Sequence, residues 1–564
     1  MRFSAVAVLL LVVSGLLSSQ EVATSTGGAD KPGIADELSR LRNAILQQQK
    51  HLEEQQKQMA EQQRLMNEQH EQIVHEQEEI EKLRLKVAEM GSVSSAGSQG
   101  VPHVVDATLK TAPAGNTATV QGDSERVKES PLSFRIGGMD FTPGGFVELE
   151  NVFRTTNSGS IVTTNFGTIP FSNTTQGHLT EDRLTGQFSR LNLKVTGKFG
   201  ANDITGFAEV DFNGNDASNA FVTGNSHTLR ERLFWVDVKR HKWEILGGQS
   251  WSFVTPNRRG LSPMPSDLAI TYDEDGNVQV GIPYTRAAEF RAIYHPNEHF
   301  AAGIAIENPE QFTGSGVGEV TFPNAFNQQL ASQFDPNNVN NTTPNVAPDV
   351  IPKIAYDTEV AGRHFHAEAL GLLTTIKTAT LAPVVGSTFQ SNSKVGASGG
   401  AAMNFELAHN FRVLANALYG AGGGHYIIGL GPNAVVRPDG SPSLVHAGTG
   451  LVGFEYQPTS KTQFGLYYGA AYFQRNAFLD TSAGAKPNTI VGFGGLGSAN
   501  TNNRAIQQPT FDWTQTFWRN PQYGAIQLIT QTSYLTRSPW FVPAGAPKNA
   551  HLVMVYTSMR YVLP

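Results

Sequence analysis

The sequence predicts an all-β transmembrane barrel of about sixteen antiparallel strands, preceded by an α-helical coiled coil. Three observations carry this expectation. Apolar and polar residues alternate with period two through the C-terminal three-quarters of the chain, the connections between those stretches alternate between long and short, and an unbroken heptad repeat lies near the N-terminus.

Composition sets the frame. Of 564 residues only 16% are charged, while glycine (56) and phenylalanine (32) are plentiful, a balance unlike that of charge-rich soluble enzymes. The net charge of −7 gives no basic footprint for a phosphate backbone, so nucleic acid is not an expected partner. Met1-Arg2, an apolar run from Ala5 to Leu17 and Ser18-Ser19 have the charge, core and small-residue exit of a secretory signal peptide over 1–19. The run is shorter than the ~20 residues a membrane-crossing helix needs. With no cysteine in the chain, disulfides and thiolate chemistry are excluded and an exported protein must be held by packing and hydrogen bonding.

From 34 to 90, eight consecutive heptad positions are apolar: Leu38, Ile45, Leu52, Met59, Met66, Ile73, Ile80 and Val87. The companion line carries Gln48, Gln55, Gln62, Gln69 and Glu76 at its centre. Glutamine layers are accommodated more easily around a three-fold axis than in a tight dimer, so a trimeric coil is expected rather than a single solvated helix. Residues 91–131 turn to Ser, Gly, Ala, Thr and Pro without periodicity and read as a flexible linker.

The barrel is expected over 132–564. In 190–196, Leu191, Leu193 and Val195 take one face and Arg190, Asn192, Lys194 and Thr196 the other; 204–212 and 353–360 repeat the pattern. Strands are expected near 146–154, 188–197, 204–213, 229–238, 243–254, 286–295, 300–308, 351–360, 364–377, 399–408, 411–421, 448–457, 462–475, 509–519, 524–535 and 550–564. A soluble sandwich also alternates, but it has no reason to gather every long connection at one end. Short turns on one side and long loops such as 155–187, 309–350 and 476–508 on the other are the mark of an outer-membrane barrel. Since the first connection is long, both termini fall on the short-turn side, which puts the coil in the periplasm. The last strand, Val553 to Leu563, is amphipathic with Tyr561 near its end, although Pro564 stands where a terminal phenylalanine is usual in barrels.

Thr142-Pro143-Gly144-Gly145-Phe146-Val147-Glu148 opens the first strand, and Leu229-Arg230-Glu231-Arg232 is followed on the next hairpin by Gly248-Gln249-Ser250-Trp251-Ser252. On these motifs the chain resembles the trimeric porins with an N-terminal periplasmic coiled coil, the dicarboxylate-porin (DcaP-like) group and its relatives among phosphate-selective porins. The resemblance implies a homotrimer in the outer membrane and passive, substrate-biased diffusion of small, often anionic, hydrophilic solutes.

A barrel of this size holds water, so selectivity needs a charged constriction. The third long loop, about 255–285, follows strand five, and in porins the loop at that place commonly folds inward. It carries Arg258 and Arg259 near one end and Asp267, Asp273, Glu274 and Asp275 beyond, while Arg190, Lys194, Arg230, Arg232 and Arg291 are placed to line the wall. A guanidinium keeps its charge and forks onto carboxylate or phosphate, which suits weak anion binding. The competing reading is that these arginines pair with neighbours such as Glu209, Glu231 and Glu289 and only solvate the lumen.

Other motifs are weaker. His364, His366 and Glu368 share a strand face and present part of a metal-ligand set, but polar walls are ordinary in a lumen. Gly492 to Gly497 has dinucleotide-fingerprint spacing without a strand-then-helix context and reads as loop; Gly396-Ala397-Ser398-Gly399-Gly400 opens a strand and lacks the framework of a nucleophile elbow. Asp273 to Asn277 reads as a tight turn in preference to a calcium loop. No cofactor, metal or enzymatic activity is expected. The alternative function is structural, with the barrel as an anchor and the coil tethering the membrane to peptidoglycan.

Overall fold

The computed structural model describes residues 130–564 except 161, 215–226, 272–278, 315–318, 336–343, 384–385 and 429. The signal peptide, the heptads of 34–90, nearly all of the linker and the 273–277 turn lie outside the described residues.

Sixteen antiparallel strands close into one barrel. They are β1 (Met139–Arg154), β2 (Arg190–Phe199), β3 (Asn202–Asp211), β4 (Arg230–Arg240), β5 (Trp243–Trp251), β6 (Arg286–Tyr294), β7 (Phe300–Glu307) and β8 (Asp349–Val360). The second half comprises β9 (Arg363–Thr380), β10 (Gln390–Ala408), β11 (Phe411–Ala421), β12 (His446–Thr459), β13 (Thr462–Phe473), β14 (Asn503–Asn520), β15 (Gly524–Pro539) and β16 (Ala550–Val562). Each pairs with its sequence neighbour, and β1 pairs with β16 from Phe146 opposite Val562 to Arg154 opposite Met554. Backbone closure extends to the C-terminus, where Leu563 N donates to Gly145 O at 3.0 Å and Ser130 Oγ to Pro564 O at 2.9 Å. A short strand, Glu181–Thr185, continues β2 along the upper half of β1.

Connections on one side are minimal. Ala361-Gly362 between β8 and β9 has both residues at positive φ, 52° and 71°, the backbone a two-residue hairpin needs to match strand twist. On the other side lie 155–189, 252–285, 308–348, 422–445 and 474–502, where the loops carry their own ribbons, Ala434–Val436 with Pro442–Leu444 and Asn476–Leu479 with Ile490–Phe493. The second ribbon takes in Gly492 and Phe493, expected to be plain loop, because Ala477 and Asn476 pair with them.

Two of the motif glycines have a steric cause. At Gly145 (φ +127°) a Cβ would sit 2.1 Å from the Arg190 carbonyl oxygen, and at Gly248 (φ +139°) one would sit 2.3 Å from that of Phe234. Both strands approach a neighbour too closely there, in a backbone conformation disfavoured for other residues.

Three strands begin earlier than alternation suggests. β1 starts at Met139, through Pro143 and two glycines: β16 reaches only Phe146, so the proline stands on an edge where its missing N–H costs nothing. β10 starts at Gln390 in a polar stretch paired with β9 beyond the apolar belt, so the Gly396–Gly400 string lies inside a strand instead of opening one. β14 starts at Asn503, before Pro509.

The two faces of the wall differ in chemistry. Val147, Leu149, Phe234, Val236, Ile245, Phe290, Ile304, Ile354, Val452, Phe454, Leu466, Tyr468, Phe511 and Met559 point outward and are exposed, while alternate residues such as Glu148, Glu209, Asp211, Arg232, Lys353, Glu455, Gln508, Asp512 and Arg560 point inward. Such a surface is stable against hydrocarbon and not against water. No helix among the described residues is long and apolar enough to cross a membrane. Val452→Arg, at the middle of β12 on the outer face, should cost about 2–4 kcal/mol in lipid unfolding titrations, while Lys194→Gln on the inner face should leave the midpoint unchanged.

Candidate functional site: a loop folded into the lumen

The loop 252–285 between β5 and β6 does not stand outside the barrel. Its first turn packs Phe253, Val254 and Leu261 on an apolar patch of the inner wall, Ala301, Ala305, Ile351, Ala355, Leu372 and Leu418, strands away from its own origin. Leu268, with Met264 and Ile270 beside it, covers Phe207, Leu233, Trp235, Leu246 and Trp251. At its far end Gln279 Nε2 donates to Gln508 O at 2.6 Å and Val280 N to Gln508 Oε1 at 2.8 Å, on β14. The loop therefore crosses the lumen.

Arg258 pins it. Its guanidinium donates both Nη atoms to the Glu455 carboxylate on β12, each at 2.7 Å, and also holds the loop's own carbonyls, Leu268 at 3.1 Å and Ile270 at 2.7 Å. A second clasp lies on β8 and β9. Lys353 Nζ pairs with Glu368 at 2.9 Å and donates to Thr255 O at 2.8 Å and Asn257 Oδ1 at 3.0 Å, and Asn257 N donates to Glu368 at 3.2 Å. His366, fully buried, bridges Asp357 (3.0 Å) and Glu368 (3.2 Å) through its two ring nitrogens, His364 meets Asp357 at 3.2 Å, and Gly260 N donates to Asp357 at 3.0 Å. The His364, His366 and Glu368 face thus serves the loop through ion pairs, and among the described residues no group of His, Asp and Glu is arranged to hold a metal. A buried pair that loses one partner is costly, so these contacts fix the loop strongly.

The wall beside the loop is basic. Arg230 forks onto Asp211 (2.6 and 2.9 Å), Arg232 bridges Glu209 (2.7 Å) and Asp211 (2.9 Å), and Arg190 approaches Glu209 at 3.6 Å. Alternation alone would turn Arg232 and Leu233 to opposite faces. A register shift against Glu209 and Val210 puts both inside, the effect of a β-bulge. Arg286, opposite Trp251 across β5 and β6, joins Arg232 over the Trp251 ring, at 5.8 and 5.7 Å from its centroid. Glu231, considered as a partner for these arginines, sits on the outer face between the two inward arginines, and only its backbone carbonyl meets Arg286.

The remaining candidates divide. Arg291 pairs with Glu289 at 2.5 Å, donates to the Trp251 carbonyl and lies over Phe253, which makes it a support under the loop's start. Lys194 projects into the lumen, exposed, with no ion pair or hydrogen bond among the described residues, and its charge acts on Asp267. Arg259 is exposed on the loop and also acts on Asp267. Burial raises the Asp267 carboxyl above its ordinary value, against the Ser262 hydrogen bond and the charges of Arg259 and Lys194. Lys353, Asp357, Glu455, Arg286 and Trp251 were not among the expected site residues. The inward parity of Lys353 and Asp357 was visible; the partners of Arg258 and Lys353 lie 197 and 15 residues away and no local pattern names them.

A closed barrel of sixteen antiparallel strands is an architecture seen before. Among solved structures, the outer-membrane channel DcaP of Acinetobacter baumannii superposes with a TM-score of 0.52 at 17% identity, over 76% of this chain and 98% of that one. The fold is that of a porin. OprB of Pseudomonas putida (TM-score 0.41, 11% identity, 76% and 94% covered) and OmpT of Vibrio cholerae (0.40, 10%, 76% and 99%) are more distant. No family model matches the chain, and comparison with curated proteins finds no match.

Two outcomes follow for this porin barrel. Arg258→Ala takes the bidentate partner from Glu455, leaving it Arg412 at 3.5 Å and the Tyr467 hydroxyl at 3.1 Å, and frees the loop's centre, so single-channel recordings should show a larger and noisier open current. As pH falls through the raised value of Asp267, the lumen loses a negative charge; the anion-to-cation permeability ratio should rise over that interval, and Asp267→Asn should remove the step.

Proposed function

We propose that the protein is an outer-membrane porin that passes small hydrophilic solutes passively and favours anions, dicarboxylates and phosphate-like oxyanions among them. The observation that carries this reading is the inward loop, clasped on the far wall by Arg258 and Glu455, with a basic stretch of wall beside it. A fixed loop narrows the lumen, and Lys194, Arg259 and the half-exposed Arg230 stand beside the passage that is left, with Arg232 and Arg286 behind them. Asp211 and Glu209 hold the β4 arginines in place, so their guanidinium edges are oriented for a passing carboxylate at little cost in entropy. Weak, multi-point attraction suits a channel, since a solute must also leave.

The heptads of 34–90 support a homotrimer whose coil stands in the periplasm, reaching ~85 Å if helical throughout at ~1.5 Å per residue, long enough to meet peptidoglycan. Deleting 34–90 should leave monomers in mild detergent. If the barrel is instead an anchor for that coil, planar bilayers will show no conductance.

Reversal potentials in a salt gradient test the selectivity. Wild-type protein should reverse on the anion-selective side, Lys194→Glu should move the potential toward zero or past it, and cation preference in the wild type would refute the assignment of the basic wall.

A further inference from the structure

Trp540 follows β15 directly, at the barrel end that carries the long loops. Its backbone N donates to Asn502 O and its indole Nε1 to Phe473 O, both at 2.9 Å, which fixes the ring across the ends of β13 and β14. Gly494 lies beneath it so closely that a Cβ there would stand 2.5 Å from the indole Cδ1. Two guanidinium groups stand over this ring: Arg475 with its Cζ 4.8 Å from the centroid and Arg504 at 5.9 Å. Tyr472 meets it edge-on at 6.2 Å.

The cluster faces outward. Tyr472 continues the outer face of β13 above Leu466 and Tyr468, all exposed. Arg504 would share the inward parity of the buried Ile506, but a register shift between Asn503 and Ala505 turns it out, and it is exposed, as is Arg475. Arg230, Arg232 and Arg258 in the lumen hold carboxylates; Arg475 and Arg504 have no ion pair or hydrogen bond among the described residues and have the indole instead. Two exposed guanidiniums set against one indole at the upper edge of an apolar wall offer an anion several charge-assisted donors at once.

We propose that Arg475, Arg504 and Trp540 form a binding site for the phosphate group of a lipid in the leaflet on the long-loop side, a phosphorylated glycolipid whose acyl chains lie along Leu466, Tyr468 and Tyr472. The inference rests on the outer-membrane reading of the barrel. Charge complementarity selects the phosphate, and the apolar face continuous with the site selects a lipid over a free ion. The indole holds the guanidiniums in place, so fewer rotamers are lost on binding.

The test uses the full-length protein in mild detergent, with lipid retention read by native mass spectrometry. The probes are bisphosphorylated lipid A, the same lipid stripped of its phosphates, and inorganic phosphate as competitor. Lipid A should be retained by wild type at least tenfold more tightly than by Arg475→Gln/Arg504→Gln, the stripped lipid should bind wild type as weakly as lipid A binds the variant, and equimolar phosphate should not compete. Trp540→Leu, which keeps both charges, should weaken retention in part. Equal retention by variant and wild type, indifference to the lipid phosphates, or competition by free phosphate would overturn the assignment, as would a variant that only separates protomers. Bilayer conductance of the same preparations keeps the readings apart: both arginines lie outside the lumen, so the variant should conduct like wild type, and a channel silent in both would count against the porin reading alone.

Discussion

Everything in this protein depends on the pairing of β1 with β16. In hydrocarbon a backbone N–H or C=O without a partner costs several kcal/mol, and an open sheet would present a whole edge of them. Closure removes the edge, and it is also what converts the period-two alternation into an outside and an inside. The apolar residues of every strand then meet lipid, and the polar ones are left to share an interior with water. Glu148 shows the two roles meeting: β1 and β16 supply it and Arg560 to the inner wall at 2.8 Å, beside the seam itself.

A lumen made this way is wide, and its chemistry is set by what occupies it. The chain uses its own third long loop, seated on an apolar patch of wall and locked by the Arg258–Glu455 ion pair and by hydrogen bonds to Lys353, Glu368 and Asp357. The combination divides the labour. Hydrophobic contact supplies most of the affinity of loop for wall, while the directional pairs fix where the loop sits, since a buried pair is weak evidence for net stability but penalises any arrangement that breaks it. Carboxylates consumed in these clasps carry a paired charge, as do those that hold the arginines of β4.

How much of this the sequence disclosed follows from the range of the interactions. Strand existence is a local property, and alternation placed all sixteen strands; the ends furthest misjudged were the starts hidden by Pro143, by the polar run before Ser398 and by Pro509. Facing was legible too, since Arg190 and Lys194 sit four apart and Glu209 and Asp211 two apart, even spacings that share a strand face. Parity failed where a bulge intervenes, so the inward turn of both Arg232 and Leu233 and the outward turn of Arg504 had no local signal. Partnerships across the lumen were out of reach: Arg258 was recognised as a loop cation, but nothing near it in the chain points to Glu455.

Because the chain contains no cysteine, closure can be measured with a single introduced pair. Val147 and Tyr561 are register partners on the outer face of the seam. After oxidation of folded protein in lipid, Val147→Cys/Tyr561→Cys should form an intramolecular disulfide in nearly every molecule, seen as a mobility shift on denaturing gels, while the offset pair Val147→Cys/Val553→Cys should stay reduced. Absence of the disulfide in the register pair, or equal cross-linking in both, would mean that the first and last strands do not seal the barrel.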